Sequence, residues 1–197
     1  MATIDWENVP FARPEAVDKY LYQVDFKLNG GKGDPETSIH KWGCCFMSHL
    51  TIVQMMHKKP FKYNQILEIY DKCMQAGWLG EGCWVKDAVS IMAYAERYIT
   101  GDKPRYKYTC IMTKGVSNKE ATYNMGYMSA SRLPNKSNIY FCVVDFDTRS
   151  GPEYGGHHFQ LFSSTGCLLY DPNKTELGSG YVGVSKIRFW RVDNYNE

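Results

Sequence analysis

No stretch of this chain is apolar for long enough to suggest a membrane helix; none approaches the ~18 residues such a span needs. Basic residues form no block. The 23 Lys and Arg are scattered among 21 Asp and Glu, for a formal net charge of +2. That balance is too mild, and too dispersed, to expect a nucleic-acid partner. Residues 1–10 carry Asp5 and Glu7 and lack the apolar core of an export signal. Seven cysteines make an odd count, mostly inside apolar runs. With no export signal, the expectation is a cytoplasmic product with reduced thiols. There is no internal repeat, low-complexity tract or linker. The 197 residues are therefore expected to form one domain with room for a sizeable core.

What the chain does have is aromatic side chains, 15% of its residues, including 15 Tyr and 5 Trp. Such a surplus lines grooves for peptide or sugar, and equally fills the core of a mixed α/β fold. It also has a Gly-Cys pair at a telling place. Residues 29–38 are rich in Gly, Asp, Pro, Thr and Ser and read as a loop. After Gly43-Cys44, the residues Phe46, Leu50 and Val53, flanked by Met47, Ile52, Met55 and Met56, recur at helical spacing. A buried helix is expected from about Cys44 to His57, ending before Pro60.

A thiol in the first turn of a helix sits among free N–H groups and partial positive charge, which favours a thiolate. That is what a cysteine nucleophile needs. Free cysteine is also among the most buried residue types, so Cys44 and Cys45 read equally as small core residues.

Further elements follow in order. Asn64 is the expected N-cap of a second helix, with Ile66, Ile69, Tyr70 and Cys73 on its apolar face and Gly77 at its end. Residues 78–82 read as a turn. Val85, Val89, Met92 and Ala93 mark a third helix over 85–99, closing near Gly101. Residues 105–112 alternate as a strand through Tyr106, Tyr108 and Cys110. Ser117 to Glu120 fits a capping box, so a fourth helix is expected over 119–131. Residues 139–146 read as a buried strand, and 157–163 with 167–170 as a hairpin about Ser164-Thr165-Gly166. Residues 186–192 read as the last strand. Helices first and strands later is an α+β order, with helices packed on an antiparallel sheet.

A thiol nucleophile needs a base, and the base an orienting group. Of the five His, His40 falls in the loop before Cys44, and His49 and His57 lie on the central helix. His157 and His158 open a strand just after Gly155-Gly156. Alternate strand residues face opposite ways, so only one of these two can meet the helix start. Taken alone they also read as solvated or core-edge histidines. Asp171 in Tyr170-Asp171-Pro172 ends the partner strand, where a carboxylate would lie beside the His; Asp-Pro is equally a common turn opener. Gln23 upstream is a neutral donor that, with the Cys44 N–H, could form an oxyanion hole. Cys44, Cys45, His157 and His158 lack the ligand spacing of structural zinc sites, so no metal or other cofactor is expected. Asp145 and Asp147 resemble an acid pair but read as solvated at a strand end.

Together, Tyr22-Gln23, Gly43-Cys44 with Ser48, His158-Phe159-Gln160-Leu161 and Asp171-Pro172 occur in an informative order. The chain resembles the papain-like cysteine peptidases over about residues 23–172, and within them the branch of the bacteriocin leader-processing peptidases. The resemblance implies a papain-like α+β fold, with a central nucleophile-bearing helix packed on a C-terminal antiparallel sheet. It implies Cys44 as nucleophile, His158 as base and acid, Asp171 as orienting carboxylate and Gln23 as oxyanion donor. The family usually has Gly after the nucleophile; this chain has Cys45 and bulky Phe46, which leaves open Cys45 as the attacking sulfur. The expected activity is amide-bond hydrolysis on a peptide substrate, in the manner of a phage-type endolysin that cuts peptidoglycan peptides and is released to the cell wall after synthesis. An intracellular peptidase or deamidase stays open. So does an inactive module that binds peptide or glycan.

Overall fold

Everything is arranged about a helix that water barely touches. We describe a computed structural model over residues 20–31, 33–115, 141–148, 157–163, 168–173 and 181–195. Among these are four α-helices: α1 (Pro35–Trp42), α2 (Cys44–His57), α3 (Tyr63–Gln75) and α4 (Ala88–Thr100). Every residue of α2 from Cys44 to Met56 is buried. A helix apolar on all sides must be wrapped on all sides. The other helices and the sheet do the wrapping, and α2 runs to the bound expected of it, with Lys58 closing it in a left-handed conformation.

Among the described residues the main sheet has five strands: β3 (Tyr106–Gly115), β4 (Phe141–Thr148), β5 (His157–Ser163), β6 (Leu168–Tyr170) and β7 (Tyr181–Asn194). Their order is β3-β7-β4-β5-β6, and every pairing is antiparallel. The last strand of the chain thus lies between β3 and β4, which gives the fold long-range closure. Strand alternation sorts the side chains: Phe141, Val143, Leu161, Trp190 and Val192 join the main core with α2. A small antiparallel ribbon, β1 (Leu79–Gly80) with β2 (Trp84–Val85), carries a 3-10 turn over Glu81–Cys83. The mixed α+β class and the antiparallel sheet agree with the sequence reading, and no helix among the described residues is long and apolar enough to cross a membrane.

Several local expectations change. The segment 29–38 is only in part a loop, because α1 begins at Pro35. Asp34 caps it by accepting from the Thr37 N–H at 2.8 Å, and Pro35 occupies the first helical turn, where its missing N–H costs nothing. His40 is therefore on a helix. The second helix starts at Tyr63 with Lys62 as N-cap, so Asn64 is inside it; there the Gln65 side chain accepts from the Lys62 N–H at 2.8 Å. Val85 belongs to β2, and the following helix is capped by Asp87, whose carboxylate accepts from the Ser90 N–H at 3.0 Å. Tyr22 to Phe26 encloses a 3-10 turn over Gln23–Asp25. The expected helix at 119–131 and the hairpin tip at 164–166 lie outside the described residues.

Candidate active site

Gly43 is the joint between two helices. It is the C-cap of α1 and the N-cap of α2, and its N–H donates to the Ile39 carbonyl at 2.8 Å. A Cβ there would lie 2.4 Å from the Ile39 oxygen, closer than any side-chain carbon can sit. The glycine is required by this close approach, and it sets Cys44 as the first residue of α2.

His158 meets that helix start. It is the second residue of β5, and its Nε2–H donates to Asp171 Oδ1 at 2.7 Å. Asp171 follows β6, brought alongside by the pairing of Leu161 with Tyr170. The Cys44 thiol is hydrogen-bonded to the same ring. Burial pulls the imidazole pKa down, but the Asp171 hydrogen bond and Cys44 more than reverse this and raise it to about 9. At neutral pH the ring is held as an imidazolium between a carboxylate and a sulfur. The group is nearly closed to solvent: Cys44 is 8%, His158 4% and Asp171 5% exposed.

Gln23 arrives by a third route. Its backbone N–H donates to the Pro172 carbonyl at 2.9 Å, which ties the 3-10 turn to the Asp171-Pro172 bend. Tyr22 stacks on Tyr170 with ring centroids 5.4 Å apart, and the Tyr170 hydroxyl donates to the Leu21 carbonyl at 2.7 Å. The Gln23 amide donates one N–H to the His40 carbonyl at 2.9 Å, just ahead of the Gly43 joint. His40 in turn places its Nδ1 2.6 Å from the Phe26 carbonyl, pinning α1 to this segment. Of the four residues expected from sequence, Cys44, His158 and Asp171 meet one another, and Gln23 is tied to the bend that follows Asp171 and to the end of α1 just ahead of Cys44.

The other candidates go elsewhere. Cys45 is fully buried, its thiol pKa pushed up to about 12 by that burial, and its Sγ is 3.7 Å from His49 Nδ1. His49 is no base for it. Burial holds its pKa down near 3, its Nδ1 also lies 2.7 Å from the Cys45 carbonyl, and its ring packs edge-on to Trp190. His57 bonds Glu96 at 2.6 Å in a buried structural pair. His157 points outward on the other face of β5 and lies 3.2 Å from Asp145 Oδ1. Asp145 is buried, contrary to the expectation of a solvated side chain. Among the described residues no group of three or more His, Cys, Asp or Glu side chains is arranged to hold a metal ion.

Two neighbours went unread in the sequence. Gln160, fully buried, donates from Nε2 to Asp171 Oδ2 at 2.8 Å. Its spacing from His158 was the available signal, since residues i and i+2 share a strand face. Asn173 donates its backbone N–H to Asp171 Oδ1 at 3.0 Å, and its side-chain amide lies 3.3 Å from His158 Nδ1. Asp171 therefore receives at least three donors, which fix its rotamer behind the ring.

No protein-family model, curated protein or solved structure matches this chain.

Proposed function

We propose that this chain is a cysteine hydrolase with a papain-like arrangement, cutting an amide bond through Cys44, His158 and Asp171. The observation that carries the reading is the His158 ring, bound at Nε2 to a thrice-anchored carboxylate and hydrogen-bonded to a sulfur that opens a buried helix. Structural histidines rarely need both partners; an acid–base group in nucleophilic catalysis does.

In this mechanism the Cys44 proton already rests on His158 before substrate arrives, and the Cys44 Sγ beside that imidazolium attacks the substrate carbonyl carbon. The developing oxyanion is held by the Cys44 N–H and by the Gln23 N–H not given to His40. The imidazolium then protonates the leaving amine, the C–N bond breaks, and a thioester remains on Cys44. Water attacks the thioester with neutral His158 as base, which releases the acid product and restores the sulfur beside the imidazolium. These steps draw only on side chains and water. Of substrates, we favour the stem peptides of peptidoglycan, by analogy with endolysins of this architecture. A second reading, an inactive module with the same site, is favoured by the low exposure of Cys44 and His158.

Iodoacetamide labelling with peptide mapping separates the two. The hydrolase reading expects Cys44 to be alkylated at neutral pH faster than any other of the seven cysteines. Labelling of Cys44 no faster than that of a denatured-state thiol would reject it.

A further inference from the structure

A cysteine in a strained backbone packs near the start of the nucleophile helix. Cys83 ends the 3-10 turn at the tip of the β1–β2 ribbon, in a left-handed conformation with φ +58°. Glycine adopts that conformation freely and other residues seldom do. Gly82, just before it, is also left-handed, with φ +64°. Across these two bends Cys83 goes inside, 1% exposed, while Trp84 beside it stays 68% exposed. A position that glycine would fill without strain, given instead to a buried thiol, points to a use for the sulfur.

Other sulfurs lie close by. The Glu81–Cys83 turn packs on α1, and β2 after it packs on α2. A Cβ on Gly82 would stand 3.7 Å from the ring of Trp42, two residues ahead of Cys44. Cys44, Cys45 and Cys73 are the thiols within electrostatic reach of Cys83, and with burial they raise its pKa well above the ordinary value. All four are free. Cys83 therefore stays a quiet thiol while Cys44 is reduced. Cys45 is no partner for Cys44. Consecutive Cα atoms are about 3.8 Å apart, short of the roughly 4.4–6.8 Å that a disulfide spans. The Cys45 sulfur is also turned to the sheet, 3.9 Å from Nη1 of Arg188, whose guanidinium carbon stands 5.1 Å over the Phe159 ring.

We propose that Cys83 is the resolving thiol of Cys44: when a peroxide oxidises the nucleophile, Cys83 closes a disulfide with it and holds the site off until a thiol reductant reopens it. In the first step the Cys44 sulfur attacks one peroxide oxygen, the O–O bond breaks, and Cys44 becomes a sulfenic acid. The other oxygen leaves as water or alcohol with the proton of the His158 imidazolium. In the second step the Cys83 sulfur attacks the sulfenic sulfur, the S–O bond breaks, and the hydroxyl leaves as water with the Cys83 proton. This inference deepens the hydrolase reading and rests on it for the consequence, a reversible loss of turnover.

Peptide mapping without reduction tests it. The full chain is treated with hydrogen peroxide at neutral pH, blocked with iodoacetamide and digested, beside Cys83→Ser and Cys73→Ala. We expect a Cys44–Cys83 linked peptide in the parent and in Cys73→Ala, with dithiothreitol returning most of the Cys44 labelling. In Cys83→Ser, Cys44 should advance to the sulfinic and sulfonic acids, so that dithiothreitol recovers about a tenth or less of what it recovers in the parent. Before oxidation, the iodoacetamide rate at Cys44 should stay within about twofold of the parent's. Should Cys83→Ser fail to fold, Cys83→Ala and the map of the parent decide. Oxidation of Cys44 in the parent with no bridge to Cys83, or a Cys73–Cys83 bridge in its place, overturns the inference and leaves the hydrolase reading intact. A Cys44 inert to peroxide and iodoacetamide alike overturns both.

Discussion

Replacing Asp171 with Asn removes the charge behind His158 and keeps the side chain's shape. In the parent, the imidazole pKa stands at about 9 against an ordinary value near 6.5, although burial alone would push it down. The Asp171 hydrogen bond and Cys44 supply the opposing pull. That gap corresponds to roughly 3 kcal/mol favouring the charged ring in the folded state. Because the folded value lies above the unfolded one, this stabilisation is fully present below about pH 6.5 and is lost as pH rises through about 9. In Asp171→Asn the desolvation cost is left with less to oppose it, so His158 titrates lower by a unit or more. The assay is a histidine-labelled NMR titration, with His158→Gln assigning the resonance, beside urea unfolding at pH 6.5 and pH 9. The parent should titrate near pH 9 and lose stability of order 3 kcal/mol across that interval; Asp171→Asn should lose much less. A parent His158 that titrates at or below 6.5, or a variant that titrates with the parent, refutes the reasoning.

Three further outcomes follow from the packing. Gly43→Ala should destabilise the fold by about 1–3 kcal/mol and slow Cys44 alkylation, because its Cβ would sit 2.4 Å from a backbone oxygen that cannot retreat; thermal unfolding and labelling kinetics read both effects. Gln160→Leu takes a donor from Asp171, so turnover should drop about tenfold with KM unchanged and the alkaline limb of the pH–rate profile moved down. Glu96 is buried and accepts from His57, Tyr108 and the N–H groups of Arg105 and Tyr106. Glu96→Ala should cost about 3 kcal/mol in urea unfolding by leaving those donors unpaired. Burial raises the Glu96 pKa, but His57 and Tyr108 pull it below its ordinary value of 4.5. Its contribution is therefore present above about pH 4.5 and lost as pH falls through the folded value.

The site was legible where chemistry is written locally. Gly-Cys before a helical apolar run, a histidine opening a strand and an Asp-Pro after the partner strand each carry their own signal, and the antiparallel hairpin brings the last two together. What escaped the sequence depends on tertiary partners. The glycines at 30, 31 and 33 point to a loop and hide what Asp34-Pro35 does, a cap followed by a proline in a helix's first turn, so α1 and the helical placement of His40 are not apparent along the chain. Asp145 looked solvated because nothing in its neighbourhood along the chain shows that β7 places Lys186 beside it. Arg188 gave no sign at all, since an arginine on an alternating strand is ordinary until the fold sets it against Cys45 and Phe159.

The most direct measurement of the central claim is amide-bond cleavage on purified peptidoglycan, with casein alongside, by the intact chain and by Cys44→Ala and Cys45→Ala. We expect the intact chain to release new amines, Cys44→Ala to lose about a thousandfold or more of that rate, and Cys45→Ala to keep it within about tenfold. A Cys44→Ala protein as active as its parent, or activity that disappears with Cys45 and not with Cys44, would contradict the account.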